Sequence, residues 1–90
     1  MVTAIAPGVQ IIEKEAALLG LRVVTLMHRR GLSVRQLAIA ARVPPSTIQK
    51  ICKGDGKQPS IWTIGAIARI LNVSVDYLIG RTNVEQLFLA

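Results

Sequence analysis

Ninety residues, 51% of them hydrophobic, suffice for one small domain with a single modest core. Eleven Lys and Arg against five Asp and Glu leave a net charge of +6, which favours an anionic partner such as nucleic acid or an acidic membrane surface. One cysteine, Cys52, and one histidine, His28, exclude an intrachain disulfide and a thiolate zinc cluster, so no metal or other cofactor is expected. No apolar run approaches the about eighteen residues that would span a bilayer, and the N-terminus lacks the basic start and apolar stretch of a signal peptide. These features predict a soluble, cytoplasmic protein that does not engage a membrane. The basic excess is local: Arg29, Arg30, Arg35, Arg42, Lys50, Lys53 and Lys57 are opposed between residues 29 and 57 only by Asp55.

Residues 1–8 carry Ala-Pro-Gly without a period and read as a loose arm. From Val9 the apolar positions Val9, Ile12, Ala16, Leu19, Val23, Leu26 and Met27 recur at helical steps until Gly31, a stop of the C′ type. An interior glycine costs about 1 kcal/mol relative to alanine without forbidding a helix, so Gly20 leaves open one helix or two. Ser33 to Gln36 has the form of a capping box, and Val34, Leu37, Ala38 and Ala41 supply the apolar stripe of a short second helix.

Pro44 and Pro45 follow. Each disfavours helical angles in the residue before it, while Pro45 suits the first turn of a new helix, which forces a corner between Ala41 and Pro45. Beyond it Ile48, Ile51 and Cys52 share one side of a third helix running to Lys53, with Gly54 as its stop. "DGKQP" is a loop. Ser60 caps a fourth helix with the stripe Ile61, Ile64, Ala68 and Leu71, ending at Asn72, and Ser74 opens a short fifth closed by Gly80. The tail from Arg81 has Val84, Leu87 and Phe88 at helical spacing. No strand is predicted, and the chain reads as all-α.

Two short helices joined by a tight corner are what a helix-turn-helix requires to push one helix into a DNA groove. With Ile48 and Cys52 inward, a turn of 100° per residue places Ser46, Lys50 and Lys53 outward, flanked by Thr47 and Gln49. Gln can pair bidentately with adenine and Lys can donate to the O6/N7 edge of guanine, while Ser and Thr serve bases or phosphates. Nothing suggests an enzyme, because there is no plausible nucleophile and base, no acidic cluster and no phosphate-cradling loop.

The stretch "LGLRVVTLMHRRGLSVRQLAIAARVPPSTIQKICKG" followed by "QPSIWTIGAIARILNVSVDYLIG" resembles the Cro/repressor (Xre-type, lambda repressor-like) helix-turn-helix family from about Leu19 to Gly80. The resemblance implies a five-helix DNA-binding domain over residues 19–80, here with an arm and helical extension over 1–18 and a short tail over 81–90. It further implies a homodimer on a two-fold operator that regulates transcription as a repressor. Carried over by position, Pro45, Ser46, Thr47, Gln49 and Lys50 would face bases, and Ser33, Arg29, Lys53 and Lys57 would lie at phosphates.

The chain departs from that family at three places. Arg42 stands where the family has glycine, often in a left-handed conformation, and Pro44 stands where it has a Ser or Thr cap. Some relatives bury an arginine of the first helix against a glutamate of the third, and the aligned positions here are Met27 and Cys52. Breaking half of such a pair costs about 3–5 kcal/mol while replacing both halves can be neutral, so the joint change implies direct contact between Met27 and Cys52.

Other residues have plainer readings. Trp62 and Tyr77 lie near apolar stripes and read as core; His28, Arg35 and Arg69 read as surface. Arg22 and Arg29 are either phosphate contacts or a solvated face. The tail's Val84, Leu87 and Phe88 could cover the domain's own core or contact a second subunit, the latter being preferred. The competing functional reading is a helix-turn-helix serving as a protein-interaction module, such as an adaptor or antitoxin.

Overall fold

A computed structural model describes residues 7–55 and 59–85, with side chains from residue 15 onward. Five helices follow in order: α1 Pro7–Arg30, α2 Val34–Ala41, α3 Pro45–Lys53, α4 Ile61–Leu71 and α5 Val75–Leu78. Among the described residues there is no strand, and no helix is long and apolar enough to cross a membrane. At the start of the chain one expectation is corrected and one open alternative is decided. Pro7 and Gly8 belong to α1 rather than to an arm, Pro7 at a first helical position where its missing N–H costs nothing. And α1 is a single helix through Gly20.

The reason for Gly20 lies across the interface. A Cβ built there would stand 2.5 Å from the carbonyl oxygen of Ile51 and 2.9 Å from that of Cys52. Only a residue without a side chain lets the backbones of α1 and α3 cross this closely. At Gly54, α3 returns to α1 a second time, where an added Cβ would meet the Ala17 Cα at 3.2 Å. The core that this crossing organises contains Leu19, Val23, Leu26 and Met27 of α1, Leu37, Ala38 and Ala41 of α2, Ile48 and Ile51 of α3, and Ile67, Ala68 and Leu71 of α4, closed by Val73 and Leu78.

Four helices end alike. Gly31, Arg42, Gly54 and Asn72 each take φ between 60° and 68°, and the amides that follow fold back onto carbonyls of the last turn, as Val43 N–H does to Ala38 (3.0 Å) and Val73 N–H to Ala68 (3.0 Å). Leu32, Val43 and Val73, each just after such a residue, then drop into or against the core. The capping box at Ser33 is present in full: its hydroxyl accepts the Gln36 N–H (3.0 Å) and the Gln36 side-chain oxygen accepts the Ser33 N–H (2.8 Å).

The stripe of α4 is shifted from its expected phase. Ile64 is half-buried and Ile67, Ala68 and Leu71 are buried, but Ile61 is 65% exposed and Trp62 83% exposed. Ile61 starts the helix one turn before the core is reached. Trp62 lies seven residues, two turns, from exposed Arg69 and so shares its outward face. The core assignment of both residues is therefore overturned, whereas Tyr77 is half-buried and packs against the core.

Candidate nucleic-acid interface

The corner between α2 and α3 is built by backbone geometry that the sequence makes unavoidable. Arg42 holds φ 61° and ψ 43°, and Pro44 holds φ −63° and ψ 144°, so the chain turns out of α2 and re-enters helix at Pro45. A left-handed residue bearing a Cβ costs about 1–2 kcal/mol, a strain that a glycine here would not carry.

The start of α3 differs from the starts of its neighbours. Ser33, Ser60 and Ser74 each accept a first-turn amide of α2, α4 and α5, but Pro44 provides no side-chain acceptor to α3. Thr47 N–H donates to the Pro44 carbonyl (2.9 Å) and Pro45 has no N–H. The Ser46 amide is thereby left without an acceptor among the described residues, at the positive end of a helix whose dipole favours anions.

Ile48 and Ile51 are buried and Cys52 is half-buried, while Pro45, Ser46, Gln49, Lys50 and Lys53 are exposed and Thr47 is intermediate. Among the described residues none of the side chains of Ser46, Thr47, Gln49, Lys50 or Lys53 forms a hydrogen bond or ion pair. Ser33 is exposed just beyond the end of α1. Lys57 lies outside the described residues.

Arg29 is exposed but engaged. Its guanidinium donates twice to the Glu85 carboxylate, at 3.1 and 2.8 Å. The shared hydrogen bond and the opposite charge hold Arg29 above and Glu85 below their ordinary pKa values. Arg22 is held within the molecule instead of standing as a solvated charge. Half-buried, it stacks 4.0 Å above the Tyr77 ring and donates to the carbonyls of Tyr77 and Thr82 and to Asn83 Oδ1, the latter two at 2.8 Å. With the Ser74 N–H donating to the Glu85 carbonyl (3.1 Å), these contacts fasten residues 81–85 along α1. Residues 81–85 are irregular and Val84 is half exposed; Leu87 and Phe88 lie outside the described residues.

No local pattern in the sequence announces this fastening, since its partners are 55 to 61 residues apart. Met27 is buried and Cys52 packs against the same core, where burial pushes its thiol pKa up and so keeps it protonated.

The described residues thus present a polar, partly cationic helix face with no internal partners, set on a corner between two packed helices. The chain matches a helix-turn-helix domain over residues 18–78, about two thirds of its length. No curated protein and no solved structure matches it. With α2, the proline corner and α3 inside the matched span, the chain belongs to the helix-turn-helix domain family, which points to DNA binding.

Proposed function

We propose that this protein is a cytoplasmic, sequence-specific binder of double-stranded DNA of the Cro/repressor type, acting as a homodimeric transcriptional repressor with α3 in the major groove. The observation that carries the reading is the outward face of α3. Polar groups with no internal partner among the described residues, at the open N-terminus of a packed helix, are poised for an external one. Pro45, Ser46, Thr47, Gln49 and Lys50 would face bases, Pro45 through apolar contact with a thymine methyl. Ser33, Lys53 and Lys57 would hold phosphates, and Arg29 would join them to the extent that it leaves Glu85.

The mechanism is occupancy. Phosphate contacts supply affinity and a steep salt dependence, with log K falling by about 0.9 per log unit of salt for each phosphate neutralised. Base contacts supply about 1–3 kcal/mol of discrimination for each good bidentate pair. Selection of bound duplexes from a random pool, followed by titration of the winner at several salt concentrations, tests the reading. Enrichment of a two-fold sequence whose binding weakens steeply with salt is expected; no enrichment, with salt-insensitive retention, would overturn it.

The alternative of a protein-interaction module draws on Trp62, which is 83% exposed. An apolar contact of that kind would survive the salt that abolishes DNA binding.

We also propose that Met27 and Cys52 touch. Met27 belongs to the buried core and Cys52 packs against that same core. A double-mutant cycle with Met27→Ala and Cys52→Ala should show a coupling above about 0.5 kcal/mol; strict additivity would separate them.

A further inference from the structure

The two flanks of α4 border different hollows. Ile61 and Ile64 line an apolar groove of about 550 Å³ beside α1, with Lys50 of α3 among its other lining residues. Ala66 lies two residues beyond Ile64, about 200° around the helix, and so belongs to the opposite flank. There a smaller cleft of about 330 Å³ runs between α4 and the end of α2, lined by Ala40, Ala41, Arg42, Ala66, Arg69 and Ile70. The only polar residues of that lining are the two arginines, both exposed.

We propose that this cleft, together with Trp62, docks an acidic segment of a partner protein, one carboxylate of the segment lying between Arg42 and Arg69 and a neighbouring apolar side chain lying against Trp62. The proposal goes beyond the DNA-binding reading and does not depend on it.

The charge selects an acidic occupant. Among the described residues neither arginine makes a side-chain hydrogen bond or an ion pair. Their own helices offer none, since residues 16–54 and 56–75 contain no Asp or Glu. Guanidinium groups match carboxylates with paired, charge-assisted hydrogen bonds.

The backbone at Arg42 adds a second reason. Its φ of 61° carries a strain that glycine would avoid, and no hydrogen bond or ion pair of its side chain among the described residues offsets it. Strain retained at a side chain without an internal use points to an external one.

Trp62 selects a protein segment over a small anion or a DNA backbone. It shares the flank of the cleft, one turn or about 6 Å before Ala66, and is 83% exposed. A phosphate would use the arginines and leave the indole bare, whereas Trp and Arg together are the residue types that dominate binding energy between proteins. The cleft also lies on the flank of α4 away from Lys50, so an occupant there leaves the outward face of α3 free.

Selection of a displayed random peptide library without tryptophan, on the full chain, supplies the probe. Selected peptides are expected to combine Asp or Glu with a bulky apolar residue. A synthetic copy of the strongest should shift the emission of Trp62, the only tryptophan, to the blue. Arg42→Gly and Arg69→Ala should each weaken this binding about tenfold, while Arg30→Ala, which removes an exposed charge on α1, should change it less than about twofold. Arg69 stands outside the corner, so its variant carries the test whatever Arg42→Gly does to folding, which circular dichroism follows. Peptides without acidic enrichment would overturn the site, as would equal weakening by all three substitutions, the mark of net charge alone. A blue shift produced by duplex DNA and lost in both arginine variants would assign the cleft to phosphate and overturn it as well. Each of these failures leaves the DNA-binding reading to its own duplex selection.

Discussion

Two faces of this small protein carry cationic groups of similar number and opposite fate. On the side of α1 that receives residues 81–85, Arg22 and Arg29 are tied to Tyr77, Thr82, Asn83 and Glu85. On α3, Lys50, Lys53 and Gln49 hold no internal partner among the described residues. Formal charge is the same in both places, but availability is not. An arginine whose donors are already satisfied inside the molecule gains little by exchanging them for a phosphate, whereas an unpaired lysine at a helix surface loses only hydration and counterions.

The comparison can be broken most severely at the crossing on which both faces depend. Gly20→Ala places a methyl group against two carbonyl oxygens that belong to backbone and cannot rotate away. It should cost about 3 kcal/mol despite the better helix propensity of alanine, read as a fall in thermal midpoint with both faces damaged together. Next, Arg22→Ala should cost about 2 kcal/mol of stability, through lost charge-assisted hydrogen bonds and stacking, without changing DNA affinity per folded molecule. Lys50→Ala should do the reverse. It should lose about 1.5 kcal/mol of affinity for the preferred duplex with no change in thermal midpoint. If Arg22 and Lys50 behave alike in both assays, the contrast between the faces fails.

Arg42→Gly sharpens the picture at the corner. Relief of the left-handed strain should stabilise the fold by about 1 kcal/mol in a denaturant titration, and a loss of stability would show that the arginine side chain contributes more than its backbone costs. The smallest effect belongs to Glu85. Its pKa is lowered by the hydrogen bond to Arg29, so its contribution is fully present above the unfolded carboxyl value of about 4.3 and disappears as pH falls through the lower folded value. Glu85→Gln should flatten that acid-side loss. It should also steepen the salt dependence of DNA binding slightly, by freeing Arg29.

Much of this architecture was legible locally. The capping box at Ser33, the caps at Ser60 and Ser74, the stops at Gly31 and Gly54 and the double-proline corner are all written in residues within four positions of one another, where short-range hydrogen bonds and fixed φ angles dominate. The outward set on α3 followed from 100° per residue once Ile48 was taken as buried. Misreadings fell where local periodicity is silent about the neighbour. Ile61 continues the apolar stripe of α4 but begins the helix before the core does, and Trp62 looked like core by chemistry while sharing the phase of Arg69.

By itself, then, the chain determined five helices, their caps and corners, and which side of α3 is polar, because each of these depends on contacts between near neighbours and on backbone sterics. Only the tertiary structure decided that Gly20 is a crossing point and not a break, that Arg22 and Arg29 are bound to residues some sixty positions away, and that an apolar groove stays open beside α1. Those outcomes turn on which surfaces meet after folding, and pairing at long range leaves no periodic trace in a single sequence.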